Sequence, residues 1–279
     1  MSQLRYLRGK IKSLKSTTKI TKAMQLVSSS KYRALARKID HANKYFREIS
    51  VIEKITKCED LDNLSQKTKN LLYGYKDSNN CLLVIFSPSR GLCGGVNTQL
   101  QKFVTKSINA VEANKNLTII TIGGKVYDYL KRKHQDLKAV NYSTDYSEKL
   151  NNLLENEMFA EVKIIYTHCN SIISYTPTIL HKFPLYKADF SVPQSGDILM
   201  EPEKSFVIKQ YMNLLFNSTL EICALHAETS EHAGRMIAMD NATKNGNNIM
   251  QDMITLANKV RQANVTRELI DIVSGAQNC

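Results

Sequence analysis

Apolar positions divide the chain into two long helical ends and a middle section with a different pattern. Near the N-terminus, apolar side chains recur at spacings of three and four, the period of one helix face. They are Leu4, Leu7, Ile11 and Leu14, then Ile20, Met24 and Val27, and then Leu35, Ile39, Ala42, Phe46 and Ile49. No Gly or Pro occurs from Lys10 to Tyr73, and these residues are the strongest helix breakers. We predict one helix over residues 3–57, about 80 Å long at 1.5 Å per residue, with shifts of phase along its apolar face.

The C-terminal segment predicts a second long helix. Pro202 and Glu203 suit a position just before a helix and its first turn. Two columns then repeat every seven residues. The first is Ile222, Thr229, Met236, Thr243, Met250 and Ala257, and the second is Leu225, His232, Met239, Gly246, Met253 and Val260. Such a repeat is typical of a left-handed coiled coil, so the two terminal helices are expected to pair antiparallel.

The middle of the chain alternates short apolar runs with helical segments. The predicted strands are residues 81–86, 117–123, 162–169 and 178–185, the predicted helices are 96–113 and 125–135, and 191–202 is a loop-rich exit. This alternation is typical of a mostly parallel sheet with crossover helices. The predicted fold class is α/β, with a long antiparallel left-handed coiled coil formed by the N- and C-terminal helices and an inserted α/β domain. The predicted segments are 1–57, 58–202 and 203–279.

Positive charge is concentrated in the first segment. The formal net charge is +12, and residues 1–57 carry 15 bases and 3 acids, whereas the other two segments are nearly neutral. Eleven bases precede the first acid, Asp40. Three interpretations remain open: a solvated helix face, a nucleic-acid-binding helix, or a rod inside an acidic protein sleeve.

Other composition signals narrow the class of protein. No run of eighteen apolar residues occurs, so no transmembrane helix is expected. An acid-poor N-terminus with Arg and Ser is also a feature of organellar transit peptides, but here the pattern continues directly into the long helix. The six cysteines form no C-x-x-C pair and have no histidine at zinc-ligand spacing, which indicates a reducing compartment and no metal site.

Candidate catalytic and binding patterns are weak. The stretch SPSRGLCGGVN (87–97) joins a strand to a helix, but it matches neither phosphate-loop pattern and is interpreted as a structural turn rather than a nucleotide site. Nothing in the sequence brings Cys93 to His168 as a catalytic pair. His226 and His232 lie six residues apart, on different helix faces, and are poor metal ligands. The Met-rich stretch of the C-terminal helix is assigned to packing or to an adaptable contact surface. We predict no catalytic, cofactor-binding or metal-binding residue.

Four stretches carry a resemblance to a known family. IKSLKSTTKITKAMQLVSSSKYR (11–33), SRGLCGGVN (89–97), and SEHAGRMIAMDNATKN (230–245) followed by ANKVRQANVTRELIDIVSGA (257–276) resemble the gamma subunits of F-type ATP synthases in order and spacing. The resemblance covers the whole chain and is most specific at its ends. It implies that the terminal helices form a shaft that turns inside a ring of alternating alpha and beta subunits. It also implies that the middle domain stands outside the ring, beside the epsilon subunit and the membrane rotor ring.

The resemblance also implies which residues meet the ring. The lower shaft would face an acidic loop of the beta subunits through Lys19, Lys22, Met24, Lys31 and Arg33. The upper contact maps onto Arg261, Gln262, Thr266 and Glu268, and 272–276 would lie inside the top of the ring. The resemblance implies no cofactor and no nucleic acid. The shaft itself would not make or break covalent bonds.

Some positions depart from the family pattern. YTHC (166–169) stands where YNKF is usual, and Ser89 stands where Asp or Asn is frequent, so local contacts of the middle domain are in doubt. The cysteine-bearing insertion of the chloroplast relatives has no counterpart, so thiol control is not predicted. The match begins within the first dozen residues, which favours a bacterial protein peripheral to the cytoplasmic side of the inner membrane.

Two alternatives from other classes stay open at this point. A basic coiled-coil protein that binds nucleic acid depends only on the charge of 1–57, and a nucleotide-dependent α/β enzyme depends only on the 87–97 turn. Steep salt dependence of nucleic-acid binding distinguishes the first, and calorimetric titration with nucleotides distinguishes the second.

Overall fold

The computed structural model describes residues 2–52, 65–72, 74–75, 78–111, 116–134, 137–142, 145–185 and 201–276. Six helices and five strands lie in these ranges. The helices are α1 (Ser2–Ile52), α2 (Gln66–Leu72), α3 (Val96–Asn109), α4 (Gly124–Lys133), α5 (Tyr146–Asn156) and α6 (Lys204–Ala276). The strands are β1 (Asn80–Phe86), β2 (Asn116–Ile122), β3 (Lys138–Tyr142), β4 (Glu161–Cys169) and β5 (Tyr175–Phe183).

The chain forms two compact units. Unit 1 contains residues 1–30 and 235–279, and unit 2 contains residues 31–234. Both terminal helices contribute to both units, because α1 and α6 each cross a boundary between them. The predicted boundary at 57/58 lies outside the described residues, and so does most of the predicted exit 191–202. Helix α6 begins directly after Pro202 and Glu203.

Unit 2 is built around a five-stranded sheet of order β3-β2-β1-β4-β5. The first four strands of this order run parallel, and β5 pairs antiparallel with β4 at the edge. Strand β1 occupies the centre, and six of its seven residues are buried. This burial explains its continuous apolar run, which is typical of a parallel strand covered on both faces. The predicted fold class, with long terminal helices and a mostly parallel inserted sheet, is confirmed.

Helices cover both faces of the sheet. On one face, Leu83 and Ile85 of β1 pack with Leu100 of α3 and Leu130 of α4. On the other face, a larger cluster joins alternate residues of the same strand to α2, α5 and α6, with Phe216 fully buried at its centre. Helices α2 and α5 and strand β3 were not predicted from the sequence, although β3 and α5 continue the strand–helix alternation.

The terminal helices pair antiparallel in unit 1. In unit 1, Thr21 Oγ1 lies 2.7 Å from Thr243 Oγ1, and Gln25 Nε2 donates to Asp240 Oδ1 at 3.2 Å. The partner of α1 therefore descends in number as α1 ascends, as expected for antiparallel helices.

The packed face of α1 keeps one heptad register, so the predicted shifts of phase are wrong. Its buried and half-buried positions include residues 4, 7, 11, 14, 18, 21, 25, 28, 32, 35, 39, 42, 46 and 49. Thr18, Thr21, Gln25 and Ser28 occupy the middle of this series. Ile20 and Val27, expected on the packed face, are both 58% exposed. The apolar pattern misled because polar residues take over the packed positions there.

Among the described residues, none of the helices has a stretch long and apolar enough to cross a membrane.

Candidate functional site

The candidate site in unit 1 is the paired stretch of α1 and α6 in which polar residues fill the contact, here called the polar seam (Thr18, Thr21, Gln25, Asp240, Thr243 and Gly246). The hydroxyls of Thr21 and Thr243 lie 2.7 Å apart, and each also lies within hydrogen-bond distance of a backbone carbonyl of its own helix, so one of the two donates across the seam. Gly246 lies against Thr18, whose methyl group occupies the place where a side chain at 246 would begin. The helices are therefore joined here by directional polar contacts and a close approach rather than by apolar side chains.

Charge beside the polar seam is partly balanced within the unit. Lys244 lies 2.7 Å from Asp240 on the same helix. The hydrogen bond from Lys244, with a smaller contribution from Lys22 of α1, holds the pKa of Asp240 below its ordinary value. Lys22 thus acts on an acid of its own chain while its side chain remains exposed to solvent.

The predicted lower-shaft residues of unit 1 lie outside the packed face of α1. Lys19 and Lys22 are exposed, and Met24 is half-buried. Their apolar neighbours Ile20, Leu26 and Val27 are all more than half exposed. The sequence did not predict them as surface residues. The signal that could have found them is the uninterrupted heptad count from Leu4, which places threonine rather than isoleucine on the packed face. A basic surface and an apolar surface therefore occur on the same stretch of α1.

The two other lower-shaft residues, Lys31 and Arg33, belong to unit 2. Both are exposed, on either side of the half-buried Tyr32. Their side chains are thus accessible from solvent.

The predicted upper-contact residues, Arg261, Gln262, Thr266 and Glu268, are all exposed on the last turns of α6 in unit 1. Within this set, Thr266 Oγ1 donates to the Gln262 carbonyl oxygen at 3.0 Å. The remaining surface of these turns is strongly apolar. Its exposed members are Val265, Leu269, Ile270, Ile272 and Val273, at 49–67% exposure. Of the predicted 272–276 segment, the side chains at 275 and 276 lie outside the described residues.

The glycine turn of unit 2 is a packing element, in agreement with its interpretation as a structural turn. Gly94 and Leu92 both have φ of 61°, a conformation that glycine adopts at little cost. A Cβ added at Gly234 of α6 would lie 2.5 Å from the Cys93 carbonyl oxygen and 2.6 Å from Val96 Cγ2. The turn and α6 therefore approach so closely that only glycine fits at position 234.

The cysteine and histidines that were considered for a catalytic or metal-binding site make other contacts in the structure. Cys93 is 1% exposed, and its sulfur accepts a hydrogen bond from Asn97 Nδ2 at 3.1 Å. His168 instead stacks on His226. His232 lies 3.9 Å from Glu228, one turn away on α6. Among the residues that the structure describes, no group of three or more His, Cys, Asp or Glu side chains is placed to hold a metal ion.

A family model described as ATP synthase matches residues 3–278. The ATP synthase gamma chain of Rickettsia felis is 32% identical over 290 residues, covering 99% of both chains. That of Mycoplasma capricolum subsp. capricolum is 29% identical over 288 residues, covering 100% of this chain and 99% of the relative.

Solved structures share the fold. A chain in the Euglena gracilis mitochondrial ATP synthase OSCP/F1/c-ring structure has a TM-score of 0.66 at 20% identity, covering 99% of this chain and 94% of the other. A chain of the Tetrahymena thermophila mitochondrial ATP synthase central stalk and c-ring structure has a TM-score of 0.59 at 23% identity, covering 80% of this chain and 99% of the other. The match of the family model to nearly every residue, together with relatives similar over their full length, shows that this chain belongs to the ATP synthase gamma chain family.

Proposed function

We propose that the chain is the central rotating shaft, the gamma subunit, of the F1 part of a proton-translocating ATP synthase. In this role it couples rotation of the membrane rotor ring to ATP synthesis or hydrolysis at catalytic sites carried by alpha and beta subunits. Family membership supports the assignment. The single observation that carries it is the outward-facing surface of α1 in unit 1, where Ile20, Leu26 and Val27 are exposed beside Lys19 and Lys22.

Such a surface is complementary to a sleeve that is both acidic and apolar. Exposed apolar residues beside charged ones mark contact surfaces, and a surface with an excess of positive charge attracts acidic partners. An asymmetric shaft that turns inside a ring contacts each surrounding subunit differently, and differential contact shifts the populations of a partner's states. The chain would thereby alter nucleotide affinity in its partners while remaining a non-catalytic subunit of the enzyme complex.

The contact residues follow from this role. Lys19, Lys22, Met24, Lys31 and Arg33 would meet acidic loops of the beta subunits. The exposed end of α6, including Arg261, Gln262, Thr266 and Glu268, would lie against the upper part of the alpha and beta ring. The apolar residues between them would supply the smooth contact that a turning shaft requires.

The remaining partners follow from the same assignment. The sheet of unit 2 would stand outside the ring, beside an epsilon subunit and the c-type rotor ring. The chain would then be peripheral to the membrane through the complex, on the cytoplasmic side of a bacterial inner membrane.

Reconstitution tests the proposal. The purified chain is mixed with cognate alpha and beta subunits, and native mass and ATP hydrolysis are measured on the same sample. We expect a complex with one copy of this chain and a gain in cooperative hydrolysis, while the chain alone hydrolyses no ATP. Absence of a complex with cognate subunits would overturn the proposal.

Charge reversal tests the contact residues. Lys19→Glu with Lys22→Glu should lower hydrolysis by the reconstituted complex at least about tenfold, because each reversed charge would face acidic loops across a desolvated contact. The matched control is Lys102→Glu with Lys106→Glu, two exposed bases of α3, which should retain activity. Equal activity of the two double variants would remove Lys19 and Lys22 from the contact.

The nucleic-acid alternative has no support from the relatives. Its test is binding of duplex DNA and single-stranded RNA across a salt series. A phosphate-binding protein would lose affinity with a slope of about −0.9 per phosphate neutralised on duplex DNA. We expect no specific binding at physiological salt.

A further inference from the structure

Two histidines from different elements of unit 2 stack on each other inside the protein. His168 stands near the end of β4 and His226 on α6, and their ring centroids lie 4.2 Å apart at an interplanar angle of 27°. The His226 side chain is only 5% exposed. Beside the pair, Ser230 of α6 donates to the Thr167 carbonyl oxygen of β4 at 3.0 Å. The stacked rings therefore lie in the contact that joins the sheet to the C-terminal helix.

The groups around the pair offer little to a positive charge. From β4, the Tyr166 hydroxyl lies 3.5 Å from His168 Nδ1, and Cys169 follows directly. From α6, Cys223 lies one turn away, and Glu228 lies near His232 instead. From α1, Tyr32 interacts with Cys169, and every charged residue of α1 before Asp40 is basic. Among the described residues, His226 Nδ1 is buried and has no hydrogen-bond partner.

This environment favours neutral rings. Burial, with a smaller contribution from the neighbouring His168, lowers the pKa of His226 to about 4. Burial also lowers the pKa of His168. A proton on the His226 ring would be buried without an acidic partner, and a proton on either ring would face a second imidazole at stacking distance.

We propose that the stacked pair His168–His226 is a proton-sensitive latch, which holds β4 against α6 while both rings are neutral and loosens that contact when either ring is protonated. The latch is a property of this chain alone and its test does not depend on the proposed function. If the chain is a rotary shaft, the latch would loosen the sheet from the shaft helix as the surrounding pH falls toward about 4.

The latch predicts a specific pH dependence of stability. Because His226 has a lower pKa in the folded chain than in the unfolded chain, the unfolded state binds more protons between about pH 6.5 and pH 4. Stability from this group is complete above that range and falls as the pH falls through it. The unfolding equilibrium constant of unit 2 should rise at least about tenfold more between pH 7.5 and pH 5 in the natural chain than in His226→Phe, which keeps a stacked ring without a titrating group.

The experiment uses the full chain. Urea unfolding is followed at pH 7.5, 6 and 5 for the natural chain, His226→Phe, His168→Phe and the control His41→Gln, an exposed histidine of α1 in the same unit. Both phenylalanine variants should reduce the pH dependence, and the control should retain it. Equal pH dependence in the natural chain and His226→Phe, within about twofold, would overturn the latch.

A second measurement applies even if the variants fold poorly. The imidazole proton resonances of the natural chain are titrated by NMR from pH 8 to pH 5. The His226 resonance should stay at its neutral position at pH 5.5, and amide exchange in 164–169 and 223–230 should accelerate together at lower pH. Titration of the His226 ring near pH 6.5 without a change in amide exchange would overturn the proposal.

Discussion

The two units use the same pair of helices in opposite ways. In unit 2, the packed positions of α1 are Leu35, Ile39 and Ile49, which are buried. In unit 1, the corresponding heptad positions of the middle stretch are Thr18, Thr21, Gln25 and Ser28. There, apolar side chains face solvent instead. Helix α1 therefore directs its apolar side chains inward in unit 2 and outward between Thr18 and Ser28 of unit 1, although Leu7 of unit 1 is buried.

The difference teaches where each unit obtains its stability. Burial of apolar surface contributes roughly 25 cal/mol per Å², and unit 2 concentrates it in the cluster around Phe216. A hydrogen bond within a protein contributes only about 0.5–1.5 kcal/mol net, so the polar seam stabilises unit 1 less. The exposed apolar residues of unit 1 remain available to a partner, in agreement with the proposed shaft.

Removing a large, fully buried side chain of the unit 2 core should have the largest effect. Phe216 is fully buried and packs edge-to-face on Phe183, with ring centroids 5.6 Å apart. Phe216→Ala should lower the free energy of unfolding of unit 2 by about 3–5 kcal/mol, because it removes apolar contacts and leaves a cavity. Urea unfolding followed by circular dichroism measures it. The control Phe206→Ala, at a half-exposed position of α6, should change it by less than about 0.5 kcal/mol.

The same substitution at two glycines of α6 should distinguish the units. Gly234→Ala should destabilise unit 2 by roughly 1–3 kcal/mol, because the new methyl meets the backbone oxygen of Cys93, which cannot move alone. Gly246→Ala in unit 1 meets only the Thr18 side chain.

In the Gly246→Ala variant, the further change Thr18→Ser removes that methyl group. Unit 1 should then gain about 1 kcal/mol of stability, because Ala favours the helix over Gly by about that amount. Amide exchange in 93–97 and in 243–250 reports the two sites separately. An equal cost at both glycines, unchanged by Thr18→Ser, would contradict the contrast between a backbone contact and a side-chain contact.

A buried lysine should give unit 2 an alkaline pH dependence. Lys67 is 4% exposed and donates to Asn213 Oδ1 at 2.5 Å. Burial lowers its pKa to about 8, against a smaller opposing attraction from Glu155. The unfolded chain therefore binds more protons between pH 8 and about 10.5, and this residue's contribution to stability rises with pH over that range.

Lys67→Met keeps an unbranched side chain and removes the titration. Between pH 8 and pH 10, the natural chain should gain on the order of 1 kcal/mol relative to Lys67→Met, a value reduced for solvent screening. Urea unfolding at both pH values measures the difference, which cancels the titration of other groups. A constant difference between the two chains would show that Lys67 is neutral or fully charged in both states.

The sequence predicted the apolar architecture of the molecule and failed where polar residues occupy packed positions. Strand β1 was found because a strand buried on both faces reads as a continuous apolar run. The heptads of α6 were found because Met236, Met239, Met250 and Met253 mark the seam, and the structure buries or half-buries all four. The register of α1 was mistaken at Thr18 and Thr21, since pattern counting assigns packing to apolar residues only.

The proposed contact residues and the histidine pair differ in the same way, since the contact residues were predicted and the histidine pair was not. The resemblance implied Lys19, Lys22, Arg261 and Glu268 as contact residues, and the structure places all four on the surface. The stacking of His168 on His226 was not predictable, because it joins residues 58 positions apart through the packing of β4 on α6. Contacts of this kind depend on tertiary structure, and no local sequence pattern predicts them.

The smallest expected effect tests the polar seam itself. Thr21 and Thr243 share one hydroxyl hydrogen bond of 2.7 Å across unit 1, and each hydroxyl has a second partner on its own helix. Each alanine variant loses its own local bond together with the cross-helix bond, and the local losses cancel in a double-mutant cycle, which therefore isolates the shared contact. Thr21→Ala, Thr243→Ala and their combination should give a coupling of about 0.5 kcal/mol in the thermal unfolding of unit 1. Thr21→Val with Thr243→Val should instead stabilise the unit, since two apolar groups would then face each other on the seam. A coupling above about 2 kcal/mol, or loss of stability in the valine pair, would mean that the polar seam stabilises unit 1 strongly. The two units would then differ in the chemistry of their helix contacts but not in how much those contacts stabilise them.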